Sequence, residues 1–119
     1  MIRNFGTISL WVDDFDAAVY FYQKVLGLKL ITRPGEVPHF KVGDTMLVLV
    51  KGSFCPPADA FPVDFPQVTF QVDRLDTAVK TLKANGVDPL PVINERRDSF
   101  WITLRDPAGN LLELVEVRD

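Results

Sequence analysis

Residues 6–12 alternate in polarity, with Ile8, Leu10 and Val12 on one side and Thr7, Ser9 and Trp11 on the other. A period of two predicts a strand buried on one face. The period then changes. Phe15, Ala18, Val19 and Tyr22 follow helical spacing, Asp14 stands where an N-cap belongs, and Asp16 falls where the helix dipole favours an anion. Gly27 marks the helix exit. Three more strands are predicted at 28–32, 39–42 and 45–50, the last two joined by a turn at Gly43 and Asp44.

The same order returns sixty residues later. Residues 8–19 (ISLWVDDFDAAV) align with 68–79 (VTFQVDRLDTAV), and residues 45–50 (TMLVLV) align with 110–115 (NLLELV). Two matches in one order predict a duplicated unit. In the second copy a strand at 67–72 precedes a helix with the stripe Leu75, Ala78, Val79 and Leu82, closed by Asn85 and Gly86. Pro89 and Pro91 limit the next strand to a short edge. Strands at 99–105 and 111–117 flank a turn-rich stretch, 106–110. Residues 52–66 hold four prolines and read as a linker, with Phe54, Phe61 and Phe65 expected to pack in part. The expected architecture is α+β. It is a single domain over 1–119, with tandem βαβββ modules at 1–51 and 67–119 forming a cup-shaped mixed sheet, helices outside.

Parity sorts the strand side chains into two faces. Ile8, Leu10, Val12, Leu47, Leu49, Val68, Phe70, Val72, Phe100, Ile102, Leu104, Leu112 and Leu114 are assigned to the face that buries the helices. The other face carries Thr7, Ser9, Trp11, Met46, Val48, Val50, Gln67, Thr69, Gln71, Ser99, Trp101, Thr103, Leu111, Glu113 and Val115. Two tryptophans and aliphatics mixed with hydroxyls, amides and one carboxylate suit a ligand pocket. A second subunit covering the face is the competing reading, and a dimer that closes the cup satisfies both.

Charge narrows the partners. The net charge is -3 with scattered basic residues, which leaves no footprint for nucleic acid or an anionic membrane. The longest apolar run, 46–50, is too short to span a bilayer, and the first ten residues do not read as a signal peptide. Cys55 is the only cysteine, which excludes an internal disulfide or a cysteine metal cluster and suits a cytoplasmic location. Nothing nearby in sequence activates Cys55, so an inert thiol is expected.

The chain resembles the vicinal oxygen chelate superfamily, which includes glyoxalase I, bleomycin-resistance proteins, fosfomycin-resistance enzymes and extradiol dioxygenases. The resemblance rests on residues 12–22 (VDDFDAAVYFY), 25–28 (VLGL) and 106–114 (DPAGNLLEL), together with the duplication. It implies metal-ligand positions at Thr7, Val48, Gln67 and Glu113. Val48 has no donor atom and a threonine hydroxyl is a poor ligand, so only Gln67 and Glu113 remain if a divalent metal binds at all. His39, the only histidine, is a candidate third ligand, general base or surface residue.

The expected function is binding of a small aromatic or amphipathic molecule without a catalytic metal, in the manner of the bleomycin-resistance branch. Trp11 and Trp101 would stack on it, and Ser9, Thr69, Thr103, Gln67 and Glu113 would orient it. The alternative is a lyase or isomerase of glyoxalase type, using a divalent metal or Glu113 as general base. A glutathione-like substrate would need basic partners, for which Arg33, Lys41 and Arg105 are candidates. A ferredoxin-like interaction domain is disfavoured by the extra strands. A homodimer is expected, because each open sheet needs a cover.

Overall fold

Asp14 is where strand gives way to helix in the first repeat. Its backbone is extended and its Oδ1 accepts a hydrogen bond from Ala17 N at 3.1 Å, so the expected N-cap is in place. The structure, a computed structural model, describes residues 1–53, 55–60, 65, 67–90 and 101–116. The fold is α+β, and the chain divides into two compact units, Met1–Phe54 and Cys55–Asp119.

The first unit runs β1 (Thr7–Val12), α1 (Phe15–Tyr20), a π-helical turn (Phe21–Val25), β2 (Lys29–Leu30), β3 (His39–Val42) and β4 (Thr45–Lys51). The π-turn is a departure from the regular helix that the spacing predicts. Leu26 N donates to Phe21 O at 2.9 Å, a five-residue step that fits one extra residue into the turn. Phe21 and Tyr22, adjacent in sequence, are both buried as a result. Their rings meet edge to face at 5.2 Å and 88°, and Tyr22 reaches Phe40 at 5.8 Å. Gly27, at φ +75°, then reverses the chain in a conformation that favours glycine.

The sheet order is β1-β4-β3-β2, with β1 parallel to β4 and the other pairs antiparallel. The second strand is shorter than the predicted 28–32. Ile31 N still reaches His39 O at 2.9 Å, but at the next position the Thr32 hydroxyl accepts from His39 N in place of a backbone carbonyl. Val12, Phe40, Leu47 and Leu49 are at most 2% exposed and form the core under the helix. Each such burial contributes about 1.5–3 kcal/mol.

The second unit runs β5 (Val68–Val72), α2 (Leu75–Ala84), β6 (Trp101–Arg105) and β7 (Leu111–Glu116), in the order β5-β7-β6. β5 is parallel to β7, and β6 is antiparallel to it. Arg74 occupies the place of Asp14 and provides no cap. Glu116, at the end of β7, takes over: its Oε1 accepts from Leu75 N at 2.9 Å. At the predicted short edge strand, Leu90 N donates to Thr103 O at 2.8 Å. Pro91, Ser99, Phe100 and residue 117, also predicted in strands, lie outside the described residues, as do Phe54 and Phe61. Leu82, Leu104, Leu112 and Leu114 are buried as the core of this unit. No described helix is long and apolar enough to cross a membrane.

The turn between β6 and β7 is closed by a buried polar pair. Asp106 accepts from Asn110 N at 2.8 Å and from Asn110 Nδ2 at 2.9 Å, while Asp106 N returns to Asn110 O at 3.0 Å. This reciprocal satisfaction explains how a carboxylate only 4% exposed is tolerated. The registers on either side of the turn set the level of Glu113 against Thr103.

Candidate functional site

In each unit the helix side is identified by its buried residues, and strand parity places their neighbours on the opposite face. In unit one, the paired registers run Thr7–Met46–Lys41–Lys29 in one row and Ser9–Val48–His39 in the next. Trp11 and Val50 follow. The predicted parity holds throughout β1, with Thr7, Ser9 and Trp11 exposed while Val12 is buried. Val48 is 8% exposed, buried on the face away from the helix. Trp11 is 51% exposed and lies against Gly52, where an added Cβ would meet the indole Cγ at 3.0 Å. Gly52 is therefore the residue that makes room for the ring.

His39 stands on this face beside Val48. Its Nδ1 lies 2.7 Å from Val37 O. A carbonyl only accepts, so Nδ1 carries the proton, and in the neutral ring Nε2 keeps the acceptor lone pair.

In unit two, the central row is Thr69–Glu113–Thr103, with Gln71–Val115–Trp101 beside it. Thr69 Oγ1 donates to Glu113 Oε1 at 3.2 Å. Thr103 is 4% exposed, and its hydroxyl is buried with no hydrogen-bond partner among the described residues. Gln67 immediately precedes β5, one step before Val68 pairs with Leu112. Glu113 is half-buried, and its hydrogen-bond donor is Thr69 on the adjacent parallel strand. Adjacent strands lie about 4.8 Å apart, which brings a threonine hydroxyl within reach of a glutamate directly opposite.

The basic candidates separate. Arg105 is engaged: its Nη1 donates to Gly109 O at 2.7 Å and Pro56 O at 2.9 Å, and its Nη2 donates to Pro57 O at 2.6 Å. The planar fork fastens the start of the proline-rich stretch to the β6–β7 turn, so Arg105 is not a spare cation for a substrate carboxylate. Cys55 packs into the same corner, half-buried, at 3.0 Å from the position a Cβ on Gly109 would take. Arg33 sits in the exposed loop after β2, and its backbone N–H donates to Glu36. Lys41 is exposed on the face of His39.

Of the four positions implied as metal ligands, Val48 contributes no donor, Thr7 contributes an exposed hydroxyl, Gln67 contributes a neutral amide, and Glu113 already shares an oxygen with Thr69. Among the described residues no three His, Cys, Asp or Glu side chains converge. This donor set does not fit a catalytic divalent ion, which needs at least three suitable protein ligands. A depression of about 810 Å³ beside α2 is lined by Leu75, Val79, Lys83 and the paired Arg74 and Asp76. Glu116 and the Arg105 clip went unrecognised in the sequence, where no local signal announces their partners, whereas the Asp106–Asn110 pair lies within the stretch already marked as a turn.

Several solved structures share this fold. Lactoylglutathione lyase from Agrobacterium tumefaciens is 28% identical, over 97% of this chain and 94% of that one, with a TM-score of 0.74. An antibiotic-binding protein from Streptomyces sp. CB03234 is 24% identical over 98% of both chains, with a TM-score of 0.75. A genomically encoded fosfomycin resistance protein from Listeria monocytogenes is 20% identical, over all of this chain and 94% of that one, with a TM-score of 0.77. The last two likenesses establish the fold alone. The family model of the Glyoxalase/Bleomycin resistance protein/Dioxygenase superfamily matches residues 4–114, and the chain belongs to that superfamily.

Proposed function

We propose that this chain binds a small aromatic or amphipathic molecule on its helix-free sheet faces, without a catalytic metal. The observation that carries this reading is the Thr69–Glu113–Thr103 row. It offers a carboxylate with one oxygen oriented by Thr69 and, on the next strand, a buried hydroxyl with no described partner. A buried polar atom of that kind is normally satisfied by water or a ligand group. Leu111, Val115 and Trp101 supply apolar surface around it, the mixture expected of a small-molecule site. In unit one, Ser9, Trp11 and Val48 offer the same mixture, with Thr7 at its edge. The existence of an antibiotic-binding protein on this fold supports the reading, as does the incomplete ligand set at Thr7 and Val48.

The test is a screen by tryptophan fluorescence, paired with elemental analysis of the purified protein. The reading expects ligands that quench the emission, with Trp101→Ala weakening them, and less than a tenth of an equivalent of transition metal. About one equivalent of metal whose removal abolishes turnover would establish the lyase or isomerase alternative instead. A second reading, acid–base chemistry without metal, is favoured by one detail: only Oε1 of Glu113 is engaged by Thr69. If Glu113→Gln abolishes turnover of a screened compound while binding persists, Glu113 is a base.

A further inference from the structure

We propose that the helix-free face of unit one binds the anionic group of an amphipathic ligand, a carboxylate, sulfonate or phosphate ester, between Lys29 and Lys41. Lys29 and Lys41 are direct partners across the antiparallel β2–β3 pair, so both side chains rise from the same face. That face is the one opposite the helix, because Phe40, the neighbour of Lys41, is fully buried against Tyr22. Like charges directly opposite destabilise a sheet, so the pair calls for an explanation.

Protection of the open edge is one explanation, and it accounts for Lys29, since β2 is an edge strand. It does not account for Lys41, because β3 lies inside the sheet between β2 and β4. Neither lysine has a carboxylate partner among the described residues, whereas Arg74 in the other unit is paired with Asp76. Lys51, by contrast, is used internally, bonded to Asp13 O and lying over the Phe15 ring at 5.5 Å. The residues that share the face with the lysines, from Thr7 and Met46 to Val48 and His39, include no carboxylate. A chain of net charge -3 thus concentrates uncompensated positive charge on one apolar surface.

The rows define the ligand. An anion held between the two ammonium groups leaves its apolar body next to Met46 in the same row and Val48 in the next. The ligand class is therefore an amphipathic anion. The site lies wholly on unit one and does not depend on Glu113.

The test uses two fluorescent probes of matched shape on the full chain. They are 8-anilinonaphthalene-1-sulfonate, which is anionic, and N-phenyl-1-naphthylamine, which is neutral. The sulfonate binds more tightly, and its affinity falls as salt rises from 20 to 500 mM, while the neutral probe is insensitive to salt. The double variant Lys29→Gln/Lys41→Gln weakens the sulfonate on the order of fivefold and leaves the neutral probe unchanged. The double arginine variant keeps sulfonate binding, and Glu113→Gln keeps the lysine-dependent difference. The proposal is overturned if the glutamine variant binds the sulfonate like the parent, if both probes weaken together, or if the parent binds neither. A Glu113→Gln variant that loses its screened ligand but keeps the sulfonate preference separates this site from the unit-two reading.

Discussion

Replacing Arg105 by methionine removes three charged hydrogen bonds while keeping the length of the side chain. Two of them, to Pro56 O at 2.9 Å and Gly109 O at 2.7 Å, are partly buried, and the third, to Pro57 O at 2.6 Å, is exposed. The exposed carbonyl is recovered by water, so the loss falls on the other two. At about 1.5–3 kcal/mol for a bond to a charged group, and with the non-additivity of neighbours, the expected cost is about 2–4 kcal/mol. Lysine keeps the charge but lacks the planar fork, so Arg105→Lys should recover about half of that. Urea unfolding reads the effect directly. With a slope near 1.5 kcal/mol per molar, the methionine variant should unfold roughly 2 M earlier. Limited proteolysis should then cut first within residues 52–60, the stretch the guanidinium fastens. A methionine variant with an unchanged midpoint, or a lysine variant equal to the parent, would refute the clip.

Gly109 holds φ +97° with Cys55 Sγ at 3.0 Å from an added Cβ, so Gly109→Ala should destabilise by about 1–3 kcal/mol, measured by thermal unfolding. Gly52→Ala meets the Trp11 indole at 3.0 Å and should shift the tryptophan emission, with a cost of about 1–2 kcal/mol. The hydrogen bond from Arg74, with a second from Thr77 N, holds the Asp76 carboxyl below its ordinary range. Its ionised form is thus favoured by folding, so this contribution is complete above about pH 4 and is lost as pH falls through the lowered value. A carbon-detected NMR titration should place Asp76 below the same residue in the unfolded chain. Analytical ultracentrifugation should find a homodimer, and a monomer at all concentrations would remove that proposal.

Much of this was legible because the signals are local or periodic. Asp14 announces its cap within three residues, Gly27 and Gly86 mark helix exits, and parity alone put Thr69, Thr103 and Glu113 on one face. What escaped the sequence are bonds between distant residues. Glu116 caps a helix that starts 41 positions earlier, and Arg105 reaches 49 positions back to Pro56. The repeat itself misleads here, since Arg74 replaces the Asp14 cap with no sign of what compensates. The π-turn was hidden for another reason: Phe21 and Tyr22 are both apolar, and helical spacing can use only one of two adjacent positions for the core. The bond from Thr69 to Glu113 likewise joins residues 44 positions apart, and parity gives their shared face without giving the bond.

The decisive measurement is calorimetric titration of a screened ligand into chelator-treated parent protein and into Glu113→Gln. The stripped parent should bind as tightly as untreated protein. The variant should bind about 10–100-fold more weakly, the loss of one hydrogen bond to a charged group at about 1.5–3 kcal/mol. Binding that disappears on chelation and returns with added divalent metal, or that is unchanged in Glu113→Gln, would contradict a metal-free site anchored on Glu113.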